Sequence, residues 1–394
     1  MRKLVLFCIS VVFVMNAFSQ WQQSGTNVVG QSSVFLVDGN KLYSGSGMGG
    51  GLYVSEDNGV NWTKLGGSAI STTYALAVKG SKIYLGNEYG VYISTDNGQT
   101  FTASNTGLSS TYYTVTALLV DGSTIFAGTT NGLYVSTDDG ALWTITSLSK
   151  YVRSMMKVGT DIYAGTYSDG VYISSDNGST WTQVVNGMSK TTTYSPIFSM
   201  ANIDNTIFAA LKGTGVYKST DKGATWTLAN GTMTKDIWGI AVSGTNLFAG
   251  GDYVGVYLST DKGTTWTAVN TGLPETYTLM PTVYTLVVAN QTLFAQSSYV
   301  WKRPLSEMIT VQNTPVVETV LPRVSISPNP ASKTITINDE SISSISIFNT
   351  SGQLLLEKKI NDGEEVSIES IPPGLYMVKL QGTTSVSDVK LLVQ

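Results

Sequence analysis

The stretch STDKGATW at residues 219–226 returns almost unchanged as STDKGTTW at 259–266. Four earlier copies precede it: SEDNGVNW (55–62), STDNGQTF (94–101), STDDGALW (136–143) and SSDNGSTW (174–181). The shared acids are Asp57, Asp96, Asp138, Asp176, Asp221 and Asp261, separated by 39, 42, 38, 45 and 40 residues. A period near 40 marks a repeat architecture. The repeat around the second copy, Tyr74 to Ser104, reads YALAVKGSKIYLGNEYGVYISTDNGQTFTAS. It divides into four short strands (ALAV, KIYLG, GVYIST and TFTAS) with turns at Lys79-Gly80 and Asn97-Gly98. Alternation, β-branched and aromatic enrichment and Gly/Asn/Asp turns support strands throughout, and no segment carries a helical period.

Four antiparallel strands per repeat, arranged radially, predict a β-propeller. Six motifs are present, but the inner strands number seven. The seventh set, VYTLVVANQTLFAQSSYVWKRP (283–304), has three strands and no motif. Trp21-Gln22-Gln23-Ser24-Gly25 resembles Trp62-Thr63-Lys64-Leu65-Gly66, the fourth strand of the first repeat. The chain start therefore supplies the missing strand and closes the ring, which removes an open edge. The expectation is an all-β, seven-bladed β-propeller over 20–305.

The motif S-x-D-x-G-x-T-W resembles the Asp-box, or BNR repeat, of sialidases, xyloglucanases, sortilin-type receptors and photosystem assembly factors. In those families the box lies on the rim away from the active site. The residues agree with a structural role: Asn-Gly and Lys-Gly suit tight hairpins, Ser and Asp cap nearby backbone, and Trp packs between blades.

Composition excludes much chemistry. There is no histidine, so Ser-His-Asp catalysis and His-ligated metals are out. The one cysteine, Cys8, lies in MRKLVLFCISVVFVMNAFSQ (1–20), read as a signal peptide over 1–19 with a basic start, a short apolar run and small residues before Gln20. The mature chain then has no thiol, disulfide or transmembrane segment, and neither metal nor cofactor is expected. Charged residues are only 13% of the chain. Loss of Arg2 and Lys3 takes the net charge from −4 to −6, and no basic patch points to nucleic acid.

Function in a propeller is expected at the mouth of the central channel. Aligning the repeats places Ser33, Tyr74, Thr116, Arg153, Phe198, Trp238 and Tyr284 at the start of the inner strands, with Tyr89, Tyr112, Tyr113, Tyr167, Tyr194, Tyr253 and Tyr277 in nearby loops. Of these, Tyr74, Arg153, Phe198, Trp238 and Tyr284 are the candidate ligand-binding residues for a glycan or protein. The alternative readings are rings that merely plug the channel and an Arg153 held in a local salt bridge. The propeller's other arginine is Arg303, so the three-arginine clamp of sialidases is absent, as is their Arg-Ile-Pro motif. A glycosidase needs two facing carboxylates. Asp169, Asp252 and Glu88, in loops between second and third strands, are the candidates. The resemblance speaks against them, since xyloglucanases set their acids in a cleft between two propellers and this chain has one.

Residues 306–322 form a polar, Val/Thr/Pro-rich linker. Beyond it, 323–394 carries ISPNPASKTITI (326–337), NTSGQLLLEKKI (349–360) and IESIPPGLYMVKL (368–380). Pro328, Asn329, Pro330, Gly352, Gly374, Tyr376 and Lys390 resemble, in order, the type A C-terminal sorting domain of the Bacteroidetes type IX secretion system. A small β-sandwich fits the pattern. The resemblance implies export through the periplasm, with the secretion machinery as partner, to the cell surface or the medium.

Overall fold

The computed structural model describes residues 20–25, 28, 32–47, 50–67, 70–108, 114–190, 193–231, 233, 236–274, 280–309, 326–337, 342–349, 353–361, 364–382 and 386–394. The signal peptide expected at 1–19 and most of the linker lie outside these residues. The chain divides into two compact units, Met1–Val311 and Gln312–Gln394.

The first unit is built from seven four-stranded antiparallel sheets among the described residues. Their innermost strands are Ser32–Asp38, Ala75–Lys79, Val115–Asp121, Val152–Val158, Ile197–Ile203, Ile237–Ser243 and Thr285–Ala289. Each contacts the next, and the last contacts the first, so the sheets follow one another in a closed ring. The sheets are numbered here by that order. The second is typical: Ala75–Lys79, Lys82–Asn87, Gly90–Ser94 and Thr102–Ala103, paired in sequence. Its second strand, KIYLGN, is almost wholly buried because both of its faces meet neighbouring sheets, whereas the outermost strand is exposed.

The seventh sheet joins the two ends of the unit. Thr285–Ala289, Thr292–Gln296 and Val300–Pro304 are completed by Gln22–Gln23, with Gln22 opposite Lys302 and Gln23 opposite Trp301. Trp21 is buried at 2% exposure, and its indole nitrogen donates to the Val269 carbonyl of the sixth sheet at 2.7 Å.

Each box folds into the same turn. In the fifth sheet the Ser219 hydroxyl donates to Asp221 at 2.7 Å and accepts from the Gly223 amide at 2.8 Å. Asp221 accepts from the Thr225 amide at 2.8 Å and the Thr225 hydroxyl at 2.6 Å. Asn58, Asn97, Asp139, Asn177, Lys222 and Lys262 all take positive φ, each followed by a positive-φ glycine. That pair of left-handed residues makes the tight hairpin. Beyond these bonds within the box, its aromatic residue reaches the preceding sheet. The indole nitrogens of Trp62, Trp143, Trp226 and Trp266 donate to Ser24 Oγ and to the carbonyls of Ser104, Val184 and Ala229, each at the outer end of the preceding sheet. Trp181 instead donates to Gly178 within its own box, and Phe101 has no N–H to donate.

These carboxylates set the acid limit of the fold. Hydrogen bonds hold Asp57, Asp96, Asp176 and Asp221 at about 2, from an ordinary value of 3.8. Asp138 is lowered by the same kind of bonds, and Asp261 is lowered despite burial that opposes it. A depressed folded value adds stability that is complete above the unfolded value and lost as pH falls through the folded one. Thermal melts of the mature chain should therefore be level from pH 8 to 5, where the absent histidine would have titrated, and drop from about pH 4 to 2. A midpoint already falling at pH 6 would refute this account.

The second unit has a three-stranded sheet (Ile326–Ser327, Thr334–Ile337, Glu365–Ser367) and a four-stranded sheet ordered Leu354–Lys359, Ile342–Phe348, Gly374–Gly382, Val386–Val393. Ile335, Ile345, Ile347, Val366, Val378 and Leu391, drawn from both sheets, share one core.

Candidate functional site

At the ring's channel, the inner strands of the first, third, fourth, fifth and sixth sheets each carry a break in register one residue from their start. In four of these the extra residue is Thr116, Arg153, Phe198 or Trp238. A bulge leaves one residue unpaired and re-aims its side chain. Tyr74 and Tyr284 precede their strands and are fixed by their own amides, donating to Gly86 and Gln296 carbonyls at 2.8 Å. These six residues, with Ser199 and Thr285, line one cavity of about 200 Å³. All five expected ligand-binding residues are thus brought together. The side chain of Ser33, the first-sheet equivalent, lies outside the described residues, as do Tyr112, Tyr113 and Tyr277.

The rings form a continuous stack. Phe198 and Trp238 lie 5.2 Å apart at 9°, and Trp238 meets Tyr284 edge-on at 5.2 Å and 68°. The Arg153 guanidinium sits over the Phe198 ring at 4.6 Å, and the Lys212 ammonium lies 5.8 Å from the Trp238 centroid. The broad faces of Phe198 and Trp238 are thus turned to protein groups. What the cavity offers is edges, hydroxyls and one positive charge.

The Arg153 guanidinium donates to the Tyr151 hydroxyl at 3.2 Å and forms no ion pair among the described residues. Arg153 Nε and Trp238 Nε1 are buried nitrogens with no hydrogen-bond partner among the described residues. Leaving such a donor unmade costs about 1–3 kcal/mol. Burial raises the pKa of Tyr74 and Tyr284, and nearby Glu88 and Asp252 respectively raise them further. Both phenols therefore stay protonated, which suits hydrogen bonding and opposes a role as nucleophile.

Glu88, Asp169 and Asp252 do not line the cavity. Each is held locally: Glu88 by the Thr72 hydroxyl, Asp252 by Thr282 at 2.7 Å, Asp169 by Lys150 at 2.8 Å and Ser168 at 2.9 Å. Burial pushes Asp169 up, but those bonds outweigh it and leave its pKa lowered. A glycosidase acid needs the opposite shift. No group of three His, Cys, Asp or Glu able to hold a metal occurs among the described residues.

Beside these acids stand three exposed tyrosines, Tyr89, Tyr167 and Tyr253, at 64%, 48% and 58% exposure. Tyr167 stacks on Tyr151 at 5.0 Å and 4°. Tyr253 takes φ +53°, a left-handed conformation uncommon for an aromatic residue. The sequence reading missed what holds two of these loops. Asn105 accepts from the Val91 amide at 2.8 Å and donates to the Tyr89 carbonyl at 3.0 Å; Asn270 accepts from Val256 at 2.7 Å and donates to Val254 at 3.2 Å. The signal was present as NTGL at both 105–108 and 270–273.

In the second unit, Asn329 Oδ1 accepts from the Leu392 amide at 3.0 Å, and the Tyr376 hydroxyl donates to the Pro372 carbonyl at 2.6 Å. Pro328 and Pro330 flank Asn329 in the exposed turn before Ala331, and Gly374 opens its strand opposite Val393. Lys390 pairs with Met377 across the strands, and Gly352 lies outside the described residues.

Comparison with known proteins agrees with an all-β chain built from propeller-type sheets and ending in an export signal. Residues 325–394 match the secretion system C-terminal sorting domain family, which makes this end of the chain a type IX sorting tail and the whole a secreted or outer-surface protein. No helix among the described residues is long and apolar enough to cross a membrane. No curated protein matches the chain. Among solved structures it is similar to PorZ, described as an essential bacterial surface component of the type IX secretion system of Porphyromonas gingivalis (14% identity, TM-score 0.53, 92% of this chain and 59% of that one). It is also similar to the GH74 xyloglucanase of Xanthomonas campestris (17%, 0.56, 75% and 55%) and to YCF48 bound to D1 peptide (14%, 0.55, 73% and 98%). At these identities the likeness is one of fold. The chain spans little more than half the length of the first two.

Proposed function

We propose that this chain is an exported seven-bladed Asp-box propeller that binds a glycan or protein ligand at its channel mouth and performs no catalysis. The sandwich-like tail of 323–394 serves export through the type IX machinery. The observation that carries the reading is the cavity where bulged residues from successive sheets converge: Arg153, Phe198 and Trp238, with Tyr74 and Tyr284 beside them. Four strands bent at one position to aim side chains inward cost ladder hydrogen bonds, which a purely structural ring has no need to lose.

Glycoside hydrolysis, the runner-up, finds no support in the carboxylates, each engaged by a Thr or Lys of a neighbouring loop. The propeller neighbours include a xyloglucanase and a peptide-bound protein, so both ligand classes belong in the test. The purified mature chain, residues 20–394, is applied to glycan and random-peptide arrays together with Trp238→Ala and Tyr284→Ala. Binding that falls at least about tenfold in both variants is expected, since rings that line a binding site are frequent hot spots. Binding that survives both substitutions places the ligand elsewhere and ends this proposal.

A further inference from the structure

Resting on the binding site just proposed, we infer that its ligand is a polypeptide that inserts a carboxylate, from an Asp or Glu side chain or a free chain end, against Arg153. Among the described residues, Arg153 is the only charged side chain lining the cavity. Glu88, Asp169 and Asp252 on the neighbouring loops are each occupied by another donor, and no acid among the described residues pairs with Arg153. A half-buried guanidinium with no anion among the described residues has room for one from a ligand, and its planar fork matches a carboxylate. Nearby cations add to the field: the Lys212 and Lys190 ammonium groups lie over Trp238 and Tyr194, and neither forms an ion pair among the described residues.

Shape separates a polypeptide from an acidic sugar. A stacked sugar needs an open aromatic face, and the faces of Phe198 and Trp238 are taken up by Arg153, by each other and by Lys212. About 200 Å³ accepts a single side chain or chain end, while the exposed tyrosines outside remain for the flanking peptide.

The test uses the mature chain on random peptides displayed both with free C-termini and as amides, beside an array of uronate-containing glycans. Bound peptides are expected to share one Asp, Glu or free end. Replacing that carboxylate by its amide, with the protein unchanged, should weaken binding about 30-fold or more. Arg153→Met should reproduce that loss, and Arg153→Lys should recover part of it, with both variants melting as the parent does. Should Arg153→Met misfold, the peptide amide swap alone decides. Peptides bound without a common carboxylate, or unaffected by the amide swap, overturn this inference and leave the binding site standing. Binding confined to uronate glycans overturns the polypeptide assignment. No binding on any array overturns both.

Discussion

Trp143→Ala should lower the unfolding free energy of the propeller unit by about 3–5 kcal/mol, the usual range for removing a buried large aromatic residue. Trp143 is 1% exposed, packs with Tyr84, Val115 and Tyr134, and donates to the Ser104 carbonyl at 2.8 Å. Those contacts join the third sheet to the second, so the substitution opens a junction as well as a cavity. Trp143→Phe separates the two contributions. Phenylalanine keeps most of the apolar body and loses the N–H, and the second sheet already uses Phe101 at this box position. The expected cost is about 1–2 kcal/mol, that of one buried hydrogen bond with some lost packing. Chemical denaturation of the two variants measures both. Equal losses would mean that the hydrogen bond, not the burial, holds the junction.

Gly107→Ala should be about as damaging, on the order of 4 kcal/mol, for a different reason. Gly107 has φ +88°, and an added Cβ would lie 2.0 Å from the Trp143 carbonyl oxygen. Both the strained backbone and the collision with a neighbouring sheet's main chain must be relieved by moving the junction. Gly39 is the matched control. It has φ +56° with nothing within 4 Å, so Gly39→Ala bears only the left-handed strain of about 1–2 kcal/mol. Similar melting shifts for the two variants would show that the close approach of Gly107 to Trp143 contributes nothing.

The two substitutions meet at one place: the exit of an outer strand, where Thr106 accepts from the Trp143 amide at 2.9 Å. The same contact recurs between Trp226 and Asn186, and between Trp21 and Thr271. The box supplies the aromatic residue, and the outer end of the preceding sheet supplies its seat. Because the contact runs between successive sheets, the closing strand at Gln22–Gln23 needs its own version, and Trp21 provides it without a box.

Much of this was legible in the chain. Asp57, Asp96, Asp138, Asp176, Asp221 and Asp261 stand at a period that only a repeat explains, and the Ser hydroxyl that bonds each is two residues away. Local partners make local turns, and local turns can be read from spacing. The missing fourth strand was legible too, from Trp21 and the two glutamines after it. The alignment of repeats also found the residues at the channel, since equivalent positions in a ring face the same axis.

What their side chains do there was not legible. Whether the face of Trp238 is open or covered by Phe198, whether Arg153 has a counter-ion, and whether Asp169 meets another acid or Lys150 all depend on groups brought together across sheets. Asn105 reaches back to the Tyr89 loop from the far end of its own sheet, and a single sequence does not show that reach. The amino-acid sequence by itself determined the repeat, the turn chemistry, the closure of the ring and the exclusion of histidine chemistry, because those follow from residue identity and short separations. Only the tertiary structure decided which rings are covered and which charges are paired, and it leaves Arg153 without an anion among the described residues. Those depend on distances between strands far apart in the chain, set by how bulged strands converge on one axis.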